Sequence, residues 1–404
     1  MYYYYHYSHY YPNDTIVYVE EIDEENNYII LDFIDSDQHR KFSSLFNTID
    51  SEIGKSSMIL VKNYYPRKRI RENTAYAIKK DVLLDFVQFI SEYEDSHLIK
   101  YQIDLKNSTK ELFFRSVSLS DIEKSISIME LRKYNNALSN LNIPLGGNLQ
   151  VAVRNVGLAN WNELILNKNV IIVYDVGAPL FASRAKVREI IGNKIEQYSK
   201  SKPILFLSHW DKDHYHSLIE MTDEEIKCFS LFICIDRAIT NTSKILLDRF
   251  KNLLGLKNVY EIPNITRTSR GGKTPLYLIS NIDSQVLLFT SMYHKTKNIS
   301  GLVLAIRILK SSAIFSGDCF YNQLSEHVLP IINYENNHTL IVPHHGGEAG
   351  KYQYHSKSIK KKNAIISAGK SNHHPSKYYT DILRSEFEIL RSTKVEQKDI
   401  IINI

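Results

Sequence analysis

Histidine and aspartate residues cluster directly after an apolar run in the segment SHWDKDH. There, His209, Asp211, Asp213 and His214 follow the run PILFL within six residues. Imidazole and carboxylate groups together are typical ligands of zinc, manganese and iron. A strand that ends in a tight loop would let these side chains converge on one point. The segment therefore predicts a metal site.

Three later segments repeat the pattern of an apolar run followed by polar residues. AIFSGDC stops at Gly317, which gives the backbone room to turn, and presents Asp318. LIVPHHGG carries His344 and His345, of which one could bind metal while the other faces substrate. AIISAGKSNHHP ends in a histidine pair whose second member, His374, could reach the metal or the leaving group, or could be structural.

The elements that position these residues follow from the hydrophobic pattern. After Leu149, apolar strands such as VAVRNVG, VIIVYDVG, PILFLSH and CFSLFICID alternate with helical segments, including a basic helix over residues 183–200. Strands that alternate with helices and end in polar loops indicate a layered α/β architecture. This pattern predicts one catalytic domain over residues 149–404.

The preceding residues, 1–145, are predicted to form a separate N-terminal α+β domain of unknown role. Residues 15–65 are rich in strand-forming side chains, whereas residues 74–94 and 120–141 have helical spacing. The breaker-rich segment IPLGGN, residues 143–148, marks the expected boundary. The Tyr/His-rich residues 1–12 are interpreted as a tail, and a protein partner could bind through this domain.

Composition restricts the class of protein. Hydrophobic residues make up 43% and charged residues 24% of the 404 residues, as in soluble globular proteins. The net charge of +5 makes an anionic substrate easier to accept than a cationic one. Three cysteines without a CxxC pair favour a reducing compartment. With neither a signal sequence nor an apolar run of membrane-spanning length, a cytoplasmic protein that does not bind membranes is expected.

The four polar segments, in this order, resemble the metallo-β-lactamase superfamily, and most closely the hydrolase domain of ComEC-type competence proteins. That group carries S-H-x-D-x-D-H, then G-D at a strand end, then H-H-G, then S-x-G with a later H-P. The corresponding residues here are 208–214, Gly317-Asp318, 344–346, and Ser367, Gly369 and His374-Pro375. The strand VIIVYDVG, with Asp175, is similar to the early strand that ends in D-x-G. The resemblance covers roughly residues 150–390.

Two departures from the family pattern concern the substrate side of the pocket. The family has two glycines shortly after D-H, where this chain continues Tyr215-His216-Ser217. The family's V-G-x-G-D stretch appears here only as Asn155-Val156-Gly157 followed by Leu-Ala-Asn-Trp. No channel-forming segment is present, so DNA uptake is not carried over.

The resemblance implies an αββα sandwich with two divalent metal ions, zinc or manganese, at its edge. By position it implies that His209 and Asp211 hold one ion, Asp213 and His214 hold the other, Asp318 bridges them, and His344 completes the site. A metal-bound hydroxide, formed because the metal lowers the pKa of water, would be the nucleophile. The catalytic residues implied are Asp213, His345 and His374. Between His214 and Asp318, only His294 remains as a further candidate ligand, apart from His216.

The favoured function is a metal-dependent hydrolase, specifically a phosphodiesterase or nuclease. Basic residues near the site, with Lys360 and Lys370 as candidate substrate contacts, could hold phosphates without reading sequence. The basic segments are residues 266–273 and 355–362. Nucleic acid or a nucleotide is accordingly the expected substrate. Two alternatives remain: hydrolysis of esters, amides or lactones on the same fold, and a non-catalytic metal-binding interaction module.

Overall fold

The computed structural model describes residues 13–24, 26–44, 46, 57–64, 70–90, 98–106, 112–117, 125–126, 138, 141, 143, 145–192, 194–265, 274–282, 285–294, 299–308, 311–332, 337–351, 354, 361–371 and 374–404. The chain divides into two compact units. The first contains residues 1–123, 181–186 and 238–249, and the second contains residues 124–180, 187–237 and 250–404. Among the described residues, no helix has the length and apolar character needed to cross a bilayer.

The first unit is built on a seven-stranded sheet with the order β5-β6-β3-β2-β1-β4-β7. Its strands are β1 (Asp14–Asp23), β2 (Tyr28–Phe33), β3 (Met58–Lys62), β4 (Ala75–Lys79), β5 (Val87–Phe89), β6 (Ile99–Asp104) and β7 (Arg115–Val117). Its helices include α1 (Ser36–Ser44) and α2 (Lys80–Phe86). Apolar side chains of the central strands form its core, with Val17, Leu31 and Val61 buried together.

The helix predicted over residues 74–94 is wrong for most of residues 74–90, and residues 91–94 lie outside the described residues. The run at its start forms β4 and pairs antiparallel with β1, α2 covers only the middle, and β5 follows directly. The alternating Ala-Tyr-Ala-Ile sequence satisfies a strand as well as a helix. Pairing with an existing apolar strand then decides between them, since tertiary contacts override weak local preference. The helix predicted over residues 120–141 lies almost entirely outside the described residues.

The second unit contains two further seven-stranded sheets, and this confirms the α/β class. The first has the order β14-β13-β12-β11-β10-β9-β23, from β9 (Leu149–Val153), β10 (Trp161–Leu166), β11 (Asn169–Val176), β12 (Ile204–Leu207), β13 (Leu231–Ile235), β14 (Val259–Ile262) and β23 (Ile400–Asn403). The other has the order β16 to β22, from β16 (Leu276–Ile282), β17 (Val286–Ser291), β18 (Leu302–Ile308), β19 (Ser311–Phe315), β20 (Asn337–Ile341), β21 (Lys361–Ile366) and β22 (Ile389–Ser392). A short pair joins β8 (Ser125–Ile126) to β15 (Asn264–Ile265).

The remaining helices are mostly short. They are α3 (Arg184–Ile191), α4 (Lys194–Ser201), α5 (Lys212–Glu220), α6 (Asp223–Ile226), α7 (Asn241–Leu254), α8 (Tyr321–Gln323), α9 (Leu329–Ile332), α10 (Lys377–Glu386) and α11 (Thr393–Glu396), with 3₁₀ turns at Leu256–Asn258 and Pro343–Gly346 and a π turn at Leu324–Val328. The single basic helix predicted over residues 183–200 is two helices, α3 and α4. Gly192 follows α3 with φ +44°, the left-handed conformation that commonly ends a helix.

The two sheets of the second unit pack face to face, with helices on their outer sides. The rings of Tyr174 on β11 and Phe315 on β19 lie 5.5 Å apart between the sheets. On the outside, Tyr198 of α4 accepts a hydrogen bond from Trp161 of β10, and Leu383 of α10 is buried in the core formed with β20 and β21. The result is the four-layer αββα sandwich that the sequence resemblance implied.

Each of these two sheets combines an antiparallel meander with parallel strands. Strands β9 to β11 form one meander, and β12 to β14 continue parallel to β11; strands β16 to β19 form the other, and β20 to β22 continue parallel to β19. The carboxyl ends of parallel strands meet at one edge of a sheet, where ligands of open α/β folds bind. The ends of β11, β12, β19, β20 and β21 therefore define where to look for a site.

Candidate metal centre

The segment SHWDKDH splits between a strand end and a helix. His209 and Asp211 follow β12, whereas Asp213 and His214 lie in the first turn of α5. The expectation of a loop throughout is therefore wrong for the second pair. Helical geometry still suits them, because α5 begins directly after Asp211 and keeps all four side chains near the end of β12.

The first group of donor atoms joins the ends of β12 and β19. Ligand atoms of His209, His214 and Asp318 all lie within 4.8 Å of one another. The Nε2 atoms of His209 and His214 are 3.6 and 3.2 Å from the two carboxylate oxygens of Asp318. Asp211 lies at the same place, with Oδ2 3.2 Å from Nε2 of His209. One cation could be held by these side chains.

His209 shows that this group suits a cation. Its side chain is 2% exposed, and Nε2 makes no hydrogen bond to any residue that the structure describes. Its other nitrogen, Nδ1, is 2.9 Å from Oγ of Ser208. A buried polar atom without a hydrogen bond is costly unless something binds it. A divalent ion beside Asp318 would satisfy both the ring nitrogen and the carboxylate.

A second group of donor atoms shares His214 with the first. It consists of Asp213, His214 and His345, again with ligand atoms within 4.8 Å of one another. Oδ2 of Asp213 is 2.8 Å from Nε2 of His345 and 3.8 Å from Nε2 of His214. Because His214 is a candidate in both groups, the groups lie side by side, and the described residues could hold two ions in adjacent positions with Nε2 of His214 bound to one of them.

His344 and His345 both reach this region, although adjacent residues of a strand would point in opposite directions. They lie in the 3₁₀ turn after β20 and have φ values of +51° and +53°. His344 Nδ1 lies 3.0 Å from Oδ2 of Asp318, while His345 contacts Asp213. Left-handed backbone in non-glycine residues costs free energy and is enriched at functional sites. Here it turns two consecutive imidazoles toward the same centre.

Asp175 orients His214 from behind. Its carboxylate accepts hydrogen bonds from the backbone N–H and Oγ of Ser208, at 2.7 and 2.9 Å, and lies 2.8 Å from Nδ1 of His214. Asp175 is fully buried and has φ +59°. A carboxylate behind a ligating histidine fixes its tautomer and makes it more basic. The D-x-G resemblance had marked this residue without giving it a role.

The sequence did not identify Asn160 as a site residue, although its side chain lies next to two imidazoles of the second group. Its side-chain amide nitrogen is 3.3 Å from Nε2 of His214 and 3.5 Å from Nε2 of His345. The residue is 3% exposed. The available signal was the imperfect V-G-x-G-D stretch, in which Asn160 stands where the family pattern has its aspartate.

The electrostatics of the centre pair carboxylates with imidazoles. Burial opposes ionisation of both types, but Asp318, Asp213 and Asp175 outweigh it and hold the pKa of His214 well above its ordinary value. Conversely, His214 and His344 outweigh burial and hold the pKa of Asp318 well below its ordinary value. A site that attracts protons this strongly also attracts cations, because metal and proton compete for the same lone pairs.

His374 lies beside the centre without joining either group. Its ring centroid is 5.2 Å from that of His344 and 6.3 Å from that of His345. Burial, together with these two imidazoles, lowers its pKa to about 4. A side chain at Gly347 would collide with this ring, since an added Cβ would lie 2.1 Å from it. The second glycine of HHGG thus leaves space for His374.

The other predicted residues lie at the rim or away from the centre. Lys370 is exposed in the loop after β21, and Lys394 Nζ donates to the carbonyl oxygen of Ser371 in that loop at 3.0 Å. His294 is in neither group of donors found among the described residues, and its backbone N–H donates to Ser300 Oγ. Residues 266–273 and 355–360, which include Lys360, lie outside the described residues.

Comparisons with known proteins add only a general likeness. No family model matches the sequence, and no curated protein matches it. The chain is similar to human tRNase Z, short form (ELAC1), with 12% identity and a TM-score of 0.33 over 63% of this chain and 98% of that one. It is also similar to a mutant of CmlA β-hydroxylase, with 10% identity and a TM-score of 0.36 over 96% of this chain and 76% of that one. The chemistry of the site is accordingly argued from its own residues.

Proposed function

We propose that this protein is a metal-dependent phosphodiesterase or nuclease with a dinuclear centre. The observation that carries the proposal is the adjacency of two donor groups, each with its ligand atoms within 4.8 Å of one another, which have His214 in common as a candidate ligand. Two adjacent divalent ions are the usual arrangement in enzymes that cleave phosphate esters. Zinc and manganese both suit this mixture of imidazole and carboxylate ligands.

The ions would supply a nucleophile, since a bound water loses its proton near neutral pH, and would polarise the phosphoryl oxygen. The chain's own residues position this chemistry. His209, Asp211 and Asp318 would hold one ion, and Asp213, His214 and His345 the other, because Nδ1 of His214 faces Asp175 and its Nε2 has a single lone pair that can bind only one ion. Asp318 offers one carboxylate oxygen to each of the two imidazoles, His209 and His214, which favours the bridging role inferred for it.

His374 is proposed to act on the substrate side of the centre. Its lowered pKa keeps the ring neutral at physiological pH, so it can accept a hydrogen bond or a proton. Its ring packs edge-to-face against that of His344, with the centroids 5.2 Å apart, and this contact holds it beside the centre. The exposed Lys370 lies four residues earlier on the same loop and could hold a phosphate as substrate approaches.

A direct test compares two chromogenic substrates. Purified protein is freed of metal, reloaded with Mn²⁺ or Zn²⁺, and assayed with bis-(4-nitrophenyl) phosphate and with 4-nitrophenyl acetate. The proposal expects metal-dependent release of nitrophenol from the phosphodiester, and cleavage of single-stranded DNA or RNA by the same preparation. The Asp213→Ala variant is the negative control.

The other outcomes identify the alternatives. Metal-dependent turnover of the acetate alone would replace the proposal with an ester, amide or lactone hydrolase. Stoichiometric metal binding without turnover of any of these substrates would favour a non-catalytic metal-binding module, with partner recognition by the first unit.

A further inference from the structure

Asn160 is a buried amide among the ligands of the second group, and its backbone is fixed. Its N–H donates to the carbonyl oxygen of Asp213 at 2.9 Å, and its own carbonyl accepts from the N–H of Gly177 at 2.7 Å. The side chain can therefore rotate about its own bonds, whereas its Cα cannot move away from the centre.

The neighbouring imidazoles turn lone pairs toward this amide. Nδ1 of His345 lies 2.8 Å from the carbonyl oxygen of Ser367, which can only accept, so Nδ1 carries the proton. Nδ1 of His214 faces the carboxylate of Asp175 in the same way. Once a cation displaces the second proton from each ring, the lone pair is on Nε2, which lies 3.5 Å from the Asn160 amide in His345 and 3.3 Å from it in His214.

A cation at these lone pairs would change which end of the amide is favoured. The NH₂ end faces the imidazoles in the orientation described, and a cation would repel it. Rotation of the carboxamide by half a turn exchanges the two ends and places Oδ1 where the NH₂ group was. An amide oxygen is a neutral ligand for hard divalent ions.

We infer that Asn160 is a neutral oxygen ligand of the second cation and that it sets how tightly this cation binds. Asp211 lies with the first group, Asp213 lies in the second, and Asp318 lies between them. Asn160 then adds an uncharged oxygen to the second position alone. A carboxylate in its place would tighten binding there, and loss of the oxygen would weaken it. This inference rests on the dinuclear centre of the proposed function but not on its substrate.

The test measures metal binding alone, without substrate. Metal-free wild type, Asn160→Asp and Asn160→Ala are titrated with Mn²⁺ by calorimetry, and spin-coupled Mn²⁺ pairs are detected by electron paramagnetic resonance. Matched controls carry the same two changes at Asn162, which is 1% exposed on β10 and belongs to neither donor group. Circular dichroism without metal monitors folding of every variant.

The inference expects opposite shifts at Asn160. Asn160→Asp should tighten one of the two binding events, and Asn160→Ala should weaken the same event, each by about 10-fold or more, while the other event is unchanged. The spin-coupled signal should appear at lower Mn²⁺ in the first variant and at higher Mn²⁺ in the second. If Asn160→Ala fails to fold, the nearly isosteric Asn160→Asp decides alone. Unchanged binding in Asn160→Asp, or equal shifts from the changes at Asn162, would overturn the inference. Because the experiment measures metal binding and not turnover, it can support the role of Asn160 even if the protein hydrolyses no phosphodiester.

Discussion

The carboxylate of Asp175 lies 2.8 Å from Nδ1 of His214, and both side chains are fully buried. The same carboxylate accepts two hydrogen bonds from Ser208, the residue before His209. A single side chain thus orients one shared ligand directly and another through its neighbour. This relationship makes the candidate metal centre dependent on a residue that belongs to neither donor group.

Asp175→Asn should weaken metal binding while the fold persists. Asparagine keeps the size of the side chain and tolerates the left-handed backbone at this position, but it removes the charge that holds the proton on Nδ1. Loss of such a partner typically lowers metal affinity by about 10–100-fold. Calorimetric titration with Mn²⁺ measures the change. Asp399→Asn, which alters a carboxylate 2.8 Å from Arg154 instead, is the control. Equal affinity in wild type and Asp175→Asn would show that the contact is not needed.

Asp213→Ala should abolish activity and lower bound metal. The change removes the one carboxylate of the second donor group, leaving the ion poorly balanced in charge. Metal content by mass spectrometry and turnover of the phosphodiester measure the two effects. Asp381→Ala, on an exposed turn of α10, controls for loss of a carboxylate elsewhere. Full activity in Asp213→Ala would mean that this residue is not part of the working site.

His344→Ala and His345→Ala separate the roles of the paired histidines. Sequence position assigns His344 to metal and His345 to substrate, but the 2.8 Å contact of His345 with Asp213 also favours a ligand role for His345. We therefore expect both variants to lose metal, with the second cation lost from His345→Ala. Metal content of each variant decides. Full metal content with turnover slowed by about 10²–10⁴-fold in His345→Ala would instead support a general acid or base.

Metal binding should release protons and become tighter as pH rises. Carboxylates raise the pKa of His214 and His344 in the metal-free protein, so both rings remain protonated above the ordinary range for histidine. Their contribution to stability is complete below that range and is lost as pH rises through the raised values. A cation must displace these protons. Calorimetry in two buffers of different ionisation enthalpy, between about pH 6 and about pH 8, counts the protons released. Affinity that does not change with pH would contradict the protonated state.

Lys370→Glu should impair cleavage of polynucleotides more than that of small substrates. A lysine at the rim would contact backbone phosphates beyond the scissile one, so its effect should increase at low salt. Rates with single-stranded DNA and with bis-(4-nitrophenyl) phosphate are compared across salt concentrations. Lys200→Glu, exposed at the end of α4, makes the same charge change elsewhere. Equal effects of both variants would assign the result to net charge alone.

The sequence by itself indicated most of the candidate residues that the structure brings together, because the signals are local. A buried strand needs a continuous apolar run, and polar residues directly after it must emerge at the sheet edge. His209, Asp318 and His344 were therefore recognisable without a structure, as was the α/β class. The prediction of a helix over residues 74–94 was wrong at its start because the local sequence pattern does not show that this segment pairs with β1.

Only the tertiary structure decided how these residues are grouped. Asn160 and His345 are 185 positions apart and meet only because two sheets pack with their strand ends together. The direction of His344 and His345 depends on a left-handed turn that an alternating strand pattern cannot predict. Asp175 approaches His214 from β11, a neighbouring strand. Contacts between distant segments depend on sheet packing and backbone turns, and these arise only when the whole chain folds.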